Sequence, residues 1–497
     1  RTAAQNREAL LRYTHDAARA QITAGRNTFL ILRDSPNFEA LIDKLRNQAI
    51  RVHMLGAPLS IKAIRIDRSE PESRTFPAGT AVVSTRQAFG GLANTLLETR
   101  PVFTPGFLEE QREKTVADEP DDFYDLTTWS LPLAMNVEAY VTTAAVSDAK
   151  PFVPRAKAQF RRGSYGYLVD GLDPNVYLLV GRLLSDDVRF SVSTMPIDAG
   201  ERTFARGTLV ILKTNNAADL DAKLERFVAA TGAVVEPIDT GWVGTNALGA
   251  EAIRFVRKPA IGLVGGPGTN PTSYGMLWHT LDVDTPIPHS TIAVESLRNL
   301  DLSRFDVLVF PDGNYADRLG KRVTDKLKTW VGEGGVIVAV GGAGGFLREK
   351  DVEISKLKPW EPEKKKGDEE DDAPDDERYH DFRIPGSAFR STMNERSYLT
   401  FGVPRPPAVL VEGSNAYRPV AHKVDNIVSI VAKDALISGV AWPESLERIE
   451  GSVHMVSEPL GRGRVITFAD DPHFRLFWRG TLPLFLNSVI YSPSFAR

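Results

Sequence analysis

The stretch that decides the fold runs Val336-Ile337-Val338-Ala339-Val340 and passes directly into Gly341-Gly342-Ala343-Gly344-Gly345. Five consecutive apolar residues, four of them β-branched, are typical of a strand that is buried on both faces of a sheet. A glycine-rich turn directly after such a strand marks the passage from strand to helix. The stretch therefore predicts one strand-turn-helix step of an α/β domain.

The same alternation of strands and helices extends on both sides of this stretch. Further strands are predicted at 259–264, 291–294, 305–310 and 463–468, and helices at 274–281, 319–331 and 474–490. Such alternation predicts an α/β domain with a mostly parallel sheet over residues 258–497. A nearly continuous run of charged residues at 361–378 predicts a solvated, mobile insert in that domain.

An internal repeat precedes this domain. Residues 28–47 and 166–185 both show a strand pattern, a Pro-Asn pair and a helix pattern. Each copy then reaches the motif Arg-Thr-Phe-x-x-Gly-Thr, at 74–80 and at 202–208, followed by an apolar strand and an amphipathic helix. The shared order predicts a β-α-β-β-α module that occurs twice, over about 27–100 and 165–235.

These patterns divide the chain into three predicted domains. Residues 1–117 hold an N-terminal helix and the first α/β module, residues 118–257 hold a linker helix and the second, and residues 258–497 form the third domain. In the linker helix, Asp125 is a predicted cap and Pro132 is expected to end or kink the helix.

Composition excludes several classes of function. The 497 residues carry a net charge of −4, so the basic surface typical of nucleic-acid binding is missing. No apolar run approaches the roughly 20 residues that span a bilayer. The chain has no cysteine, which excludes disulfides, thiolate metal sites and cysteine nucleophiles. Because the chain starts at Arg1 without a methionine or signal peptide, we expect a piece of a longer polypeptide with any targeting signal upstream.

Three motifs carry a resemblance to a known family. They are Ser438-Gly439-Val440-Ala441-Trp442-Pro443-Glu444, Glu458-Pro459-Leu460-Gly461-Arg462-Gly463-Arg464-Val465 and Phe468-Ala469-Asp470-Asp471-Pro472-His473-Phe474-Arg475. With residues 124–133 and the two Phe-x-x-Gly-Thr units, they resemble the C-terminal, non-catalytic region of large bacterial proteins of the zinc carboxypeptidase family. The resemblance implies a peptidase domain upstream and a periplasmic or extracellular location.

The zinc chemistry of that family does not carry over to this chain. The resemblance implies zinc ligands in a His-x-x-Glu pair and a distant histidine, and none of the eight histidines here begins such a pair. His279 with Asp282 and His422 with Asp425 come nearest, but a second histidine at matching spacing is missing. We therefore expect no metal ligand and no cofactor in this chain, with zinc only in the upstream peptidase domain.

Residues 258–497 also resemble the class I glutamine-amidotransferase fold, a flavodoxin-like sheet. In that fold the nucleophile lies on the tight turn after a strand, where the helix N-terminus stabilises an oxyanion. The matching turn here places Ala343 at the centre and contains no Cys, Ser or Thr. No catalytic residue is therefore predicted. The glycines either bind an anion through their N–H groups or only allow close packing.

Asp470, Asp471 and His473 form the candidate ligand or interface cluster. They follow a predicted strand, and α/β proteins place their sites at the carboxyl ends of strands. The alternative is a structural helix start, with Asp471 as cap and Pro472 at the first helical position.

The leading expectation is an accessory or structural region of a secreted zinc-carboxypeptidase-like protein. Its partners would be the upstream zinc-peptidase domain, a peptide substrate and further copies in an oligomer. The alternative is a stand-alone protein that binds a small molecule or a glycan in the amidotransferase-like cleft. A third hypothesis is an enzyme that uses Asp470 and Asp471 with Glu444.

Overall fold

Helices and strands are mixed along the chain, and the strands assemble into several sheets, so a mixed fold of helices and sheets is confirmed. The computed structural model describes residues 2–117, 119–123, 126–147, 149–243, 246–360 and 382–495. The predicted insert at 361–378 and the predicted cap Asp125 lie outside these residues. None of the described helices has the length and apolar character needed to cross a membrane.

The chain forms two compact units. The first contains Arg1–Arg155, Asp375–Phe389 and Leu436–Ala441, and the second contains Ala156–Pro374, Arg390–Ala435 and Trp442–Arg497. The three-domain division stays a prediction.

The first unit is built around an antiparallel sheet. Its elements up to residue 155 are α1 (Thr2–Gln5), α2 (Arg7–Ala24), β1 (Thr28–Ile31), α3 (Phe38–Asn47), β2 (His53–Leu55), β3 (Leu59–Arg65), β4 (Pro71–Phe76), β5 (Ala81–Ser84), α4 (Gly90–Leu97), α5 (Pro105–Val116), α6 (Leu131–Ala134), β6 (Ala139–Thr142) and β7 (Ala149–Pro151). The strand order is β4-β3-β6-β1-β5-β2-β7. Every residue of β1 is buried, because strands cover both its edges and α3 packs its apolar side chains into the core.

The predicted linker helix is wrong in its position. Residues 126–130 are not helical, and α6 begins only at Leu131, with Pro132 in its first turn. Proline is tolerated there because the first N–H groups of a helix have no partner within the helix. Pro132 therefore helps to start this short helix and does not end it.

The second unit opens with a similar arrangement. Its first elements are β8 (Gly166–Val169), α7 (Val176–Ser185), β9 (Ser191–Ser193), β10 (Ile197–Ala199), β11 (Arg202–Phe204), β12 (Leu209–Leu212), α8 (Leu220–Thr231), β13 (Glu236–Ile238), β14 (Trp242–Val243), β15 (Asn246–Ala247) and β16 (Ile253–Phe255). The order β13-β8-β12-β9-β16 matches β6-β1-β5-β2-β7 of the first unit, strand for strand. Between the second and last strands of each predicted module, the chain adds a hairpin, β3–β4 or β10–β11, that the β-α-β-β-α pattern does not contain.

The repeated Arg-Thr-Phe-x-x-Gly-Thr motif has a structural role in both copies. Phe76 and Phe204 are buried in the cores of their sheets. The hydroxyl groups of Thr80 and Thr208 donate to the carbonyl three residues earlier, over 2.8 and 2.7 Å. The motif therefore builds a tight turn that leads into the central strands β5 and β12.

The remaining elements belong to the last 240 residues. They are β17 (Ile261–Gly265), α9 (Pro271–His279), β18 (Ser290–Ala293), β19 (Val307–Phe310), α10 (Lys321–Gly332), β20 (Val336–Val340), α11 (Gly342–Leu347), β21 (Ile384–Phe389), β22 (Ser391–Met393), β23 (Val409–Gly413), β24 (Asn426–Ile430), β25 (Leu436–Ser438), α12 (Pro443–Ile449), β26 (Val453–Leu460), β27 (Gly463–Phe468), α13 (Leu482–Ile490) and α14 (Ser492–Phe495). An eight-stranded sheet has the order β18-β17-β19-β20-β27-β26-β24-β22. Its first five strands pair in parallel and the last three join in antiparallel fashion.

The predicted final helix is interrupted. A single 3-10 turn at Phe474–Leu476 and the helix α13 replace the continuous helix expected at 474–490. Arg475 and Leu476 have φ angles of 46° and 62°, which lie outside the right-handed helical region. The helix is therefore interrupted at these two residues.

Two strands from far along the sequence complete the first unit. β21 and β25 pair in antiparallel fashion there. The Thr127 hydroxyl lies 2.9 Å from Ser387 Oγ, and the Thr128 hydroxyl donates to Ser438 Oγ over 2.6 Å. A buried hydroxyl network thus joins residues about 260 and 310 positions apart in the chain.

Candidate functional site

Three parallel strands of the eight-stranded sheet end at the same edge. β19 leads into Asp312, β20 into Gly341, and β27 into Asp470 and Asp471. The side chains that follow these strands therefore meet at the carboxyl edge, where open α/β sheets bind ligands.

Asp312 occupies the space above the turn after β20. Gly341 has φ 54° and ψ −123°, a backbone conformation that glycine adopts without strain, and a Cβ at this position would lie 2.5 Å from Asp312 Oδ1. The N–H of Gly342 donates to Asp312 Oδ1 over 2.7 Å, and Asn270 Nδ2 donates to Asp312 Oδ2 over 3.1 Å. The sharp turn therefore lies at Gly341, while Ala343 is buried inside α11.

This geometry determines what the turn can do chemically. The residue at the bend has no side chain, and the first amide of the following helix already binds a carboxylate. A nucleophile and a free oxyanion donor are both missing from Gly341–Gly342, although acyl transfer needs both. Anion binding at the turn is also unfavourable, because Asp312 brings negative charge to it.

Ser273 connects Asp312 with Asp471. Its hydroxyl donates to Asp471 Oδ1 over 2.6 Å and accepts from the N–H of Asp312 over 3.1 Å. Asn270 caps α9 through the N–H groups of Thr272 and Ser273, which fixes the first turn of the helix against this edge.

The environment favours the protonated forms of both predicted aspartates. Burial, followed by the charges of Asp312 and Glu412, raises the pKa of Asp471 to about 6 despite the hydrogen bond from Ser273. Burial, followed by the charges of Asp471, Glu412 and Asp312, also raises the pKa of Asp470 well above its usual range. Asp470 Oδ1 accepts from the N–H of Glu412 over 3.4 Å, and Oδ2 has no hydrogen-bond partner among the described residues.

His473 lies apart from the two aspartates. Its Nε2–H donates to the carbonyl of Met276 over 3.1 Å and lies 2.8 Å from the hydroxyl of Thr280, while the ring stacks on Phe485. Burial lowers the pKa of His473 to about 4, so the imidazole is neutral at physiological pH. The structure therefore gives His473 a packing role and brings only Asp470 and Asp471 together.

The other predicted histidine pairs have structural partners. His279 Nδ1 lies 3.6 Å from Asp284 Oδ1, so its carboxylate neighbour is Asp284 and not Asp282. His422 does contact Asp425, but Asp425 also forms an ion pair with Arg464 at 2.9 Å. Across the part of the chain that the structure describes, no three histidine or carboxylate side chains are grouped closely enough to hold a metal ion.

The sequence-based search missed Asp312, Ser273, Glu412 and Tyr417. Asp312 follows a predicted strand, so the rule that selected Asp470 and Asp471 would also have selected it. Tyr417 is buried, and its pKa is raised to about 12, mainly by burial. It reaches the edge from a segment outside the parallel strands, and the sequence carries no signal for that.

Comparisons with known proteins find only weak likenesses. No protein-family model and no curated protein matches the chain. A ThuA-like protein from Bacteroides uniformis is 11% identical with a TM-score of 0.29, over 50% of this chain and 94% of that one. A β-galactosidase from Bacillus circulans (13%, TM-score 0.24, 48% and 31%) and an exo-β-1,4-mannosidase from an Opitutaceae bacterium (12%, 0.25, 46% and 35%) are similar at the same level. This chain thus spans about a third of each glycosidase.

Proposed function

We propose that this chain is a non-catalytic binding region of a larger, exported protein that resembles the zinc carboxypeptidases. The observation that carries the proposal is Asp312 above the turn at Gly341, because its carboxylate fills the place of a nucleophile and binds the adjacent amide. The peptidase activity, the zinc and the periplasmic or extracellular location would belong to the longer polypeptide. The chain would bind substrate peptides, support the peptidase domain or join copies in an oligomer.

The proposal includes a finer description of the fold. The parallel order β18-β17-β19-β20-β27, with a sharp turn after β20, supports a flavodoxin-like, class I glutamine-amidotransferase-like domain without its catalytic residues. The shared strand order and the shared Arg-Thr-Phe-x-x-Gly-Thr turns support a duplicated α/β module.

The mass of the native polypeptide tests the main proposal. An antibody against this chain, applied to extracts of the source cells, should detect a band well above 54.7 kDa, and that species should contain zinc. A band at 54.7 kDa without a larger precursor would contradict the proposal.

The second candidate is a stand-alone protein that binds a small molecule or a glycan at the carboxyl edge. Among the described residues, Asp470 Oδ2 has no hydrogen-bond partner, which favours this candidate, since a ligand could donate a hydrogen bond to that oxygen. A thermal-shift screen with sugars and small metabolites tests this candidate, because a ligand of the folded state raises the melting temperature.

A further inference from the structure

Two buried oxygen atoms near the end of β27 have no hydrogen-bond partner among the described residues: Thr467 Oγ1 and Asp470 Oδ2. The Thr467 side chain is only 1% exposed, and its Cγ2 would lie 2.5 Å from a Cβ on Gly344, so it packs directly against the glycine-rich turn. The Tyr417 hydroxyl reaches the same place, 3.3 Å from that Cβ position. Buried polar atoms normally have a hydrogen-bond partner, but neither of these two oxygens accepts a hydrogen bond from a described residue.

The carboxylates at this edge outnumber the nearby cation, Arg348, whose charge acts on Tyr417. Asp312, Glu412 and Asp471 all act on Asp470 with like charge. Within the described ranges, Asp312, Asp470 and Asp471 form no ion pair, and all three residues are half-buried. A cation would offset their mutual repulsion, and its N–H groups would supply the missing donors.

We infer that this edge, formed by Asp312, Thr467, Asp470 and Asp471, binds an organic cation with several N–H donors, a primary ammonium or a guanidinium group. A bare metal ion is disfavoured, because the described residues offer no group of three His, Asp or Glu side chains to hold it. If the chain binds substrate peptides, as in the proposed function, the cation would be the side chain of a lysine or arginine.

Isothermal titration calorimetry on the full chain tests this inference with small probes. Nα-acetyl-lysine amide and Nα-acetyl-arginine amide should bind, whereas Nα-acetyl-norleucine amide, which lacks the charge, should bind about tenfold more weakly or worse. Asp470→Asn and Thr467→Val should each weaken binding of the charged probes. Asp325→Asn, at an exposed carboxylate on α10, is the matched control and should leave binding unchanged.

The inference would be overturned by equal binding of the norleucine probe, by full affinity in both Asp470→Asn and Thr467→Val, or by no heat of binding with either charged probe. Tighter binding of Mg²⁺, Ca²⁺ or Zn²⁺ with displacement of the probes would also overturn it. Circular dichroism confirms that each variant is folded, and the near-isosteric Thr467→Val provides a second test if Asp470→Asn does not fold. A failure here leaves the native-mass test unaffected, so the two proposals fail separately.

Discussion

Asp312 Oδ1 and the backbone amide nitrogen of Gly342 are 2.7 Å apart. A carboxylate at the end of β19 thus binds the turn that follows the neighbouring strand β20. The same carboxylate is the first of the charges that raise the pKa of Asp471, after burial itself. The two aspartates are therefore coupled through the carboxyl edge of the sheet.

Removing the charge of Asp312 should lower the pKa of Asp471. In Asp312→Asn, we expect the pKa of Asp471 to fall below its value of about 6 but to stay above that of an exposed aspartate, because burial still acts on it. An NMR titration of the Asp471 carboxyl carbon measures this change. Asp325→Asn should leave the titration curve of Asp471 unchanged. An unchanged curve in Asp312→Asn would show that the charge of Asp312 does not contribute to the raised pKa.

Asp471→Asn should make the protein more stable relative to wild type as the pH rises. Folding raises the pKa of Asp471 to about 6, so its contribution to stability is complete below about pH 4 and is lost as the pH rises through 6. Between pH 4 and pH 8 the variant should gain up to about 3 kcal/mol in free energy of unfolding over wild type. Urea denaturation at both pH values measures the gain. If the difference in free energy of unfolding between Asp471→Asn and wild type does not change with pH, the pKa of Asp471 is not raised by folding.

Acid should destabilise the protein through two buried histidines. Burial lowers the pKa of His473 and of His454 to about 4, so the unfolded chain takes up these protons first. Stability from each histidine is complete above about pH 6.5 and is lost as the pH falls through 4, by up to about 3 kcal/mol each. Between pH 6.5 and 4, protonation of these histidines therefore lowers the stability of the fold, whereas protonation of Asp471 raises it.

His473→Gln should therefore flatten the loss of stability between pH 6.5 and 4. Thermal denaturation across this range measures the slope. His15→Gln is the control, since the side chain of His15 is 69% exposed, and the slope should stay the same. If both variants behave like wild type, protonation of His473 does not contribute to acid unfolding.

Gly79 and Gly207 occupy equivalent turns. Replacing each of them by alanine therefore separates the cost of backbone strain from the cost of side-chain packing. Their φ angles are +87° and +83°, so Ala at either position costs about 1–2 kcal/mol in strain. A Cβ at Gly79 meets nothing within 4 Å, whereas one at Gly207 lies 2.7 Å from Phe401 Cβ. Gly207→Ala should therefore cost about 1–3 kcal/mol more than Gly79→Ala. Urea denaturation of the two variants gives both values, and equal losses would show that Phe401 moves aside freely.

The sequence predicted the helices and strands better than it predicted which strands pair with one another. The Pro-Asn pairs mark the starts of α3 and α7 correctly, because the pattern and its consequence are local. The hairpins β3–β4 and β10–β11 were missed, although residues 59–63 alternate apolar and polar side chains as a half-buried strand does. Pairing between β21 and β25 in the first unit depends on tertiary contacts that no local pattern encodes.

The candidate site was predicted in part for the same reason. Asp470 and Asp471 were found because the end of a strand is a local signal, and Asp312 obeys the same rule. His473 follows Asp471 by two residues, but Pro472 turns the chain, and the imidazole enters the core beside Met276. Spacing in sequence could not show which side of the turn it faces.

The contribution of β21 and β25 to the first unit also has a consequence during synthesis. Residues 2–155 leave the ribosome long before Ser387 and Ser438, which bind Thr127 and Thr128, have been translated. At about 5–20 residues per second, the unfinished unit waits for tens of seconds. Throughout that interval the surface that β21 and β25 later cover is open to chaperones and proteases of the nascent chain.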